Sequence, residues 1–304
     1  VATLDQLSRG RVILGLGSGE AMNLEPFGIP WDRKVARLRE SVTILRQLLD
    51  STEPFSFAGD FYTLKSARLC VRPWQKRRIP IYLAALGPLM QKLAGQVADG
   101  WYPVTLPMEQ YGQFFAPLAD AARLAGRDPD QIDRVANVPL ALVAPGEWKQ
   151  DAFEQLARMY ALTIVWPVAL ERLGIPWNPP EHLKDVNYIT VNPCDPEQMT
   201  RYQELQQWVP MEMIERFIYR GELDELARVV QGFIDQGATH FAVSNASPEP
   251  LGATAAMCSR LFPRFTGRGA SLAARVADSL FPVARRFGLM PRTPNPRDWS
   301  QKEL

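Results

Sequence analysis

Cysteine, histidine, surplus charge and long apolar runs are all scarce in this sequence, and each scarcity removes a class of function. The three cysteines, Cys70, Cys194 and Cys258, are odd in number and far apart. They supply neither a disulfide framework nor a cysteine-based zinc site, and a reducing cytoplasm is the expected compartment. The two histidines, His182 and His240, have no partner at metal-ligand spacing, and no HExxH, Walker A or GxSxG motif is present. Metal and serine-hydrolase chemistry therefore have no support. Lys+Arg number 34 against 33 Asp+Glu, a net charge of +1, which is not the basic excess of a general nucleic-acid binder. No apolar run approaches the roughly 18 residues of a membrane-crossing helix. The chain opens on Val1 with no signal peptide ahead of it, so it reads as starting partway through a longer protein.

What is present is an ordinary globular composition, 46% hydrophobic and 22% charged over 304 residues. That length accommodates two domains or one large α/β barrel. Short apolar runs alternate with helical patterns, the mark of a parallel α/β architecture. Strands are expected at 11–17, 79–85, 100–104, 135–143 and 240–244, and a hairpin outside the sheet within 55–71. Helices are expected at 34–49, 87–98, 108–125, 147–162, from 222 to Gly237, and at 253–261. The first of these carries Val35, Leu38, Val42, Leu45 and Leu49 at three- and four-residue spacings. Residues 164–210, rich in proline and holding Trp166, Trp177 and Trp208, break the rhythm. Such an insert reads as a lid or binding segment, or as a peripheral excursion at an oligomer contact. Beyond residue 250 the expectation is C-terminal helices and a disordered tail. Its basic amphipathic stretch, 271–287, would pack on the barrel or dock a partner or membrane surface. Five good strands fall short of the eight of a closed barrel. Either three strands precede Val1, or the sheet is open.

Several short segments can carry chemistry. Gly15-Leu-Gly17-Ser-Gly19-Glu20 follows a strand directly. It fails as a dinucleotide fingerprint, because its sixth position is Glu20 and no acidic residue closes a second strand about 20 residues on. What remains is a strand end where glycines let a ligand approach the backbone. Glu20 sits at that end, where barrel enzymes gather catalytic groups. Beside an apolar ring its carboxyl would be raised and could act as a general acid; otherwise it caps a helix or pairs with Arg33 or Arg37. Asn23 could hydrogen-bond a ligand. Ala84-Ala-Leu-Gly87-Pro88 joins a strand to a helix whose first N–H groups suit a phosphate, or is simply a well-formed turn. His182 could reach substrate from the insert, and His240, opening a strand, reads as structural.

Taken in order, these pieces resemble the luciferase-like flavin and deazaflavin oxidoreductases. The resemblance rests on Ala2-Thr-Leu-Asp-Gln-Leu-Ser-Arg-Gly-Arg11, Leu14 to Gly19, Arg37-Leu-Arg-Glu40, Gly59-Asp-Phe-Tyr62, Pro80 to Pro88 and Ala98-Asp-Gly-Trp101. It covers roughly residues 1–145 and 215–247 and implies a (β/α)8 TIM barrel, truncated at its N-terminus, over 1–250 with the insert at 164–210. Gly17-Ser-Gly-Glu-Ala-Met-Asn23 is similar to the branch using coenzyme F-420, an 8-hydroxy-5-deazaflavin. That branch contains glucose-6-phosphate dehydrogenases, methylenetetrahydromethanopterin reductases and phthiodiolone ketoreductases, and 25–32, 174–176 and 209–213 look most like the ketoreductases. The resemblance implies Glu20 as the catalytic acid/base and Gly19, Asn23, Ala84, Ala85, Leu86 and Gly87 as cofactor contacts. It implies hydride transfer between the reduced deazaflavin and a carbonyl or iminium carbon. An FMN-dependent monooxygenase and a non-catalytic degenerate member are the alternatives. A homodimer is expected, and the aromatic insert suggests a bulky or lipid-like substrate touched by Trp166, Trp177 and His182.

Overall fold

The structure, a computed structural model, describes residues 1–75, 78–143, 174, 176–186, 191–192, 194–209, 215–247 and 250–265. The expected helix at 147–162, Trp166 and the stretch 271–287 lie outside the described residues.

Six parallel strands form the main sheet: β1 (Leu14–Leu16), β4 (Ile81–Ala84), β5 (Gly100–Tyr102), β6 (Asp133–Leu142), β7 (Tyr219–Gly221) and β8 (His240–Asn245). Helices connect them: α3 (Lys34–Asp50), α4 (Pro88–Val97), α5 (Tyr111–Leu124) and α7 (Leu223–Asp235). Shorter helices α1 (Ala2–Ser8) and α2 (Ala21–Leu24) flank β1. The hairpin forms apart from this sheet, as β2 (Phe55–Ala58) against antiparallel β3 (Thr63–Ala67). The Glu40 carboxylate on α3 accepts the amide N–H groups of Asp60, Phe61 and Tyr62, which pins the hairpin turn to that helix.

Alternation along the strands gives the sheet two unlike faces. On β4, Ile81 and Leu83 are fully buried among the helices, in one core with Leu93, Trp101, Leu118 and Phe233. Tyr82 and Ala84 point the other way. In register, Gly15, Tyr82 and Gly100 form one row across that second face. Gly100 is needed there, because a Cβ would meet the Tyr82 ring at 2.4 Å. The Tyr82 hydroxyl donates to Asp133, and the His240 ring stands edge-on to Tyr82 at 5.9 Å. His240 thus opens β8 within a cluster drawn from three strands.

The structure departs from the sequence reading at four places. β7 adds a sixth strand, which three residues are too few to reveal by periodicity. β1 is a half-exposed edge strand rather than a buried one, paired with β4. The insert holds α6 (Pro196–Gln207), capped by the Asp195 side chain and packed through Tyr202 and Leu205 onto Leu183 and Val191. A polar helix burying two residues carries no apolar stripe to find. The C-terminal helix starts earlier than expected, as α8 (Pro250–Ala256), and passes into a π-helical turn at Met257–Leu261.

The strand order differs from a strictly sequential one at β6. The amides of Asp133 and Val143 donate to Asp99 and Gly221, whereas those of Arg134 and Leu142 donate to the Thr239 and Ser247 hydroxyls. N–H groups alternate in direction along a strand. β5 and β7 therefore share one edge of β6, and β8 takes the other, paired with Val135–Leu140.

At the N-terminus, the fully buried Asp5 carboxylate accepts from the Trp74 and Gln75 amides, at 2.7 and 3.0 Å, and from the Gln75 side chain at 2.9 Å. Burial alone would raise this carboxyl. The hydrogen bonds from Gln75, Val12 and Trp74 outweigh it and hold the group below the usual carboxylate range. Asp5→Ala should cost about 3 kcal/mol, since it leaves buried donors unpaired, and urea unfolding would show it as a lower midpoint. With a lowered folded-state pKa, the stabilisation is present above about pH 4 and is lost as pH falls through that pKa. The gap between wild type and Asp5→Asn should accordingly narrow on acidification.

Candidate active site at the strand ends

β1 ends in Gly17-Ser-Gly19-Glu20. Gly19 turns the chain at φ +70°, and a Cβ there would meet Leu24 Cδ1 at 2.7 Å. Glu20 returns to extended backbone and immediately precedes α2. The Asn23 amide N–H donates to the Glu20 carbonyl at 3.0 Å, and Asn23 Nδ2 donates to Glu20 Oε2 at 2.9 Å. Arg33 and Arg37 do not claim the carboxylate; they pair with Asp60 and Asp32. Burial pushes the Glu20 carboxyl above the usual range, and the Asn23 hydrogen bond opposes this in part. A half-buried carboxyl of this kind holds its proton closer to neutral pH than a solvated one.

The β1 and β4 ends lie side by side, with Leu16 in register with Leu83. A Cβ on Gly17 would sit 3.5 Å from the Ala84 methyl, and Ala84 is in register with Tyr102. Gly17, Ala84 and Tyr102 thus continue the second face of the sheet as a row of small residues closed by a phenol. A Cβ on Gly15 or Gly87 would meet nothing within 4 Å. The result is an open, low-relief shelf at the ends of β1 and β4. Ala85 and Leu86 turn into the core, and the fully buried Trp101 indole donates to the Ala85 carbonyl at 2.6 Å. Gly87 then caps α4 with Pro88 in its first turn. The first intrahelical bond of α4 is Gln91 N–H to the Gly87 carbonyl, so the Leu89 and Met90 amides precede it. They face the end where an anion is favoured.

Gly19, Glu20 and Asn23 therefore stand at the same edge of the sheet as Ala84 to Gly87. The insert residues stand apart from one another in role. Trp177 packs between the main core and the small core of α6. His182 is exposed and bonds Glu204 at 2.8 Å. Two residues at the strand ends escaped the sequence reading. Tyr102 is half exposed, its phenol raised by burial, and only its place in register reveals it. Trp31 donates its indole N–H to the Gly19 carbonyl at 2.8 Å, a link twelve residues long that no motif signals.

Asn23→Ala removes the bond that favours the Glu20 carboxylate. The Glu20 carboxyl should then titrate at higher pH than in wild type, read by NMR of its carboxyl carbon; an unchanged titration would deny the bond that role.

The luciferase-like monooxygenase family profile matches residues 1–240. An F-420-dependent glucose-6-phosphate dehydrogenase of Kineococcus radiotolerans is 33% identical over 246 residues, covering 79% of this chain and 64% of the relative. A phthiodiolone/phenolphthiodiolone dimycocerosates ketoreductase of Mycobacterium kansasii is 31% identical over 254 residues, covering 81% of this chain and 67% of the relative. The coenzyme F-420-dependent tetrahydromethanopterin reductase of Methanopyrus kandleri has the same fold, with a TM-score of 0.70 at 23% identity, covering 88% of this chain and 78% of that one. The chain spans about two thirds or less of the length of these curated relatives, 64% of the first. With a profile match over most of its length and the glycine-rich strand end in place, the chain belongs to the luciferase-like monooxygenase family.

Proposed function

We propose that this chain carries the acid/base and cofactor-facing elements of an F-420-linked oxidoreductase that interconverts a carbonyl and an alcohol. The observation that carries the reading is the Glu20 carboxyl, raised by burial and free of the neighbouring arginines, at the end of a shelf of glycine and alanine. The relatives' names supply the cofactor class. The six parallel strands are read as part of an eight-stranded barrel, of which residues 1–250 form an N-terminally truncated portion.

The residues present fit a deazaflavin. Gly17 and Ala84 leave space for a tricyclic ring, Asn23 offers an amide at its edge, and the first turn of α4 offers N–H groups to its phosphate. When bound, the reduced deazaflavin supplies a hydride donor that reacts poorly with oxygen. The chain's own work is positional and protonic. The shelf would hold the ring where a substrate can meet it. Glu20, protonated, gives its proton to the substrate oxygen as the carbonyl carbon is reduced; in the reverse direction the carboxylate takes it back. The apolar and aromatic insert is assigned to substrate, with Trp177 at its junction with the core.

In the full-length protein, Glu20→Gln should lower turnover by a factor on the order of 100 to 10,000, the usual worth of a general acid, with deazaflavin affinity nearly intact. The reductive rate should fall as pH rises through the raised Glu20 pKa, because the acid form is the active one. Fluorescence titrations with F-420 and FMN test the cofactor. Tight binding of the deazaflavin alone is expected; preference for FMN would move the protein to the oxygen-using monooxygenases, and binding of neither would overturn the enzymatic reading.

A further inference from the structure

Asn23 bonds the Glu20 carboxylate directly from within the glycine-rich motif, and a second contact reaches the turn before Glu20 from outside it. Gly19 precedes Glu20 in the left-handed region, where glycine is permissive. A carboxyl following such a turn keeps a fixed direction only if something holds the turn. The Gly19 carbonyl accepts the Trp31 indole N–H at 2.8 Å. The Ser18 hydroxyl approaches the same oxygen at 3.5 Å, too long to fix it. Trp31 is reached through the exposed segment Glu25–Pro30, in which Phe27 is 81% exposed, so packing from its own loop does not seat it. Its ring is instead covered by the Lys34 ammonium, 3.1 Å from the ring centroid. A cation over an indole face is the most favourable pairing of this type. Lys34 is the first residue of α3, which Leu38 and Val42 anchor in the core.

We propose that Trp31, held by Lys34, is a positioning residue that fixes the direction of the Glu20 carboxyl. The path runs from a rigid helix to a cation, to an indole, to the carbonyl of the flexible turn, and ends at the acid. Burial lowers the Lys34 pKa, a desolvation cost that the contact with the indole face opposes. The inference rests on the reading of Glu20 as the catalytic acid.

Trp31→Phe keeps a ring for Lys34 and removes the N–H. In the full-length protein it should lower kcat by about tenfold, the upper range for one neutral hydrogen bond, with KM, F-420 affinity and the urea midpoint little changed. In a Glu20→Gln background the same substitution should have no further effect, because residues acting as a unit are not additive. The Glu20 carboxyl of Trp31→Phe, followed by NMR, should titrate closer to an ordinary glutamate as the freed turn exposes it. Wild-type kcat together with an unmoved Glu20 titration would overturn the proposal, as would an equal loss in both backgrounds. If Glu20→Gln itself keeps full turnover, the catalytic reading fails, and the Glu20 titration in Trp31→Phe alone decides whether Trp31 holds the carboxyl.

Discussion

The structure depends on one buried indole. Trp101 leaves β5 on the helix side, fully enclosed, with ring centroids of Tyr111 and Phe115 at 5.4 and 5.6 Å. Its only polar atom needs an acceptor in that dry space, and it finds the Ala85 carbonyl just past the end of β4. The same contact therefore completes the core and fixes the strand end from which Leu86 and Gly87 lead into α4. Replacing the tryptophan with an aliphatic residue would loosen the core and also release the segment assigned to the cofactor. Stability and site geometry are linked here through a single atom pair.

The two faces of the sheet divide the labour. The helix-covered face is a dense apolar layer, closed by Gly95, where a Cβ would strike the Leu118 carbonyl at 2.4 Å. The other face is sparse: glycine and alanine along β1 and β4, then Tyr82, Tyr102, Asp133 and His240. Small side chains there leave the backbone accessible, and Tyr82, Asp133 and His240 interact with one another across three strands. The hydrogen bond between Tyr82 and Asp133 raises the phenol further, beyond the effect of burial, so that group remains a neutral donor at any ordinary pH.

What the sequence disclosed follows from signal strength. α3 was legible because Val35, Leu38, Val42 and Leu45 repeat over a helix of 17 residues. The hairpin was legible because Gly59-Asp60 punctuates two aromatic runs. Segments 17–23 and 84–87 stood out as glycine-bearing strand ends, and the structure brings them to one edge of the sheet; the roles proposed for them come from the family resemblance. β7 was hidden by its length of 3 residues, and α6 by its polarity. Trp31 and Tyr102 were hidden for a different reason. Their importance comes from what stands across from them in space, a carbonyl twelve residues back and a methyl on the neighbouring strand, and periodicity records neither.

The Asp5 clasp has a consequence for how the chain reaches this arrangement. Its donors, Trp74 and Gln75, lie 69 and 70 residues further along. On a growing polypeptide, until that stretch has emerged, the Asp5 carboxylate lacks these donors and has only the Val12 amide, at 3.4 Å, to bond. The full docking of residues 2–8 therefore waits on residues 74 and 75. These bonds close a loop of about 70 residues that contains β1, α3 and the hairpin, so the clasp ties residues 2–8 to the far end of the segment that carries the glycine-rich turn.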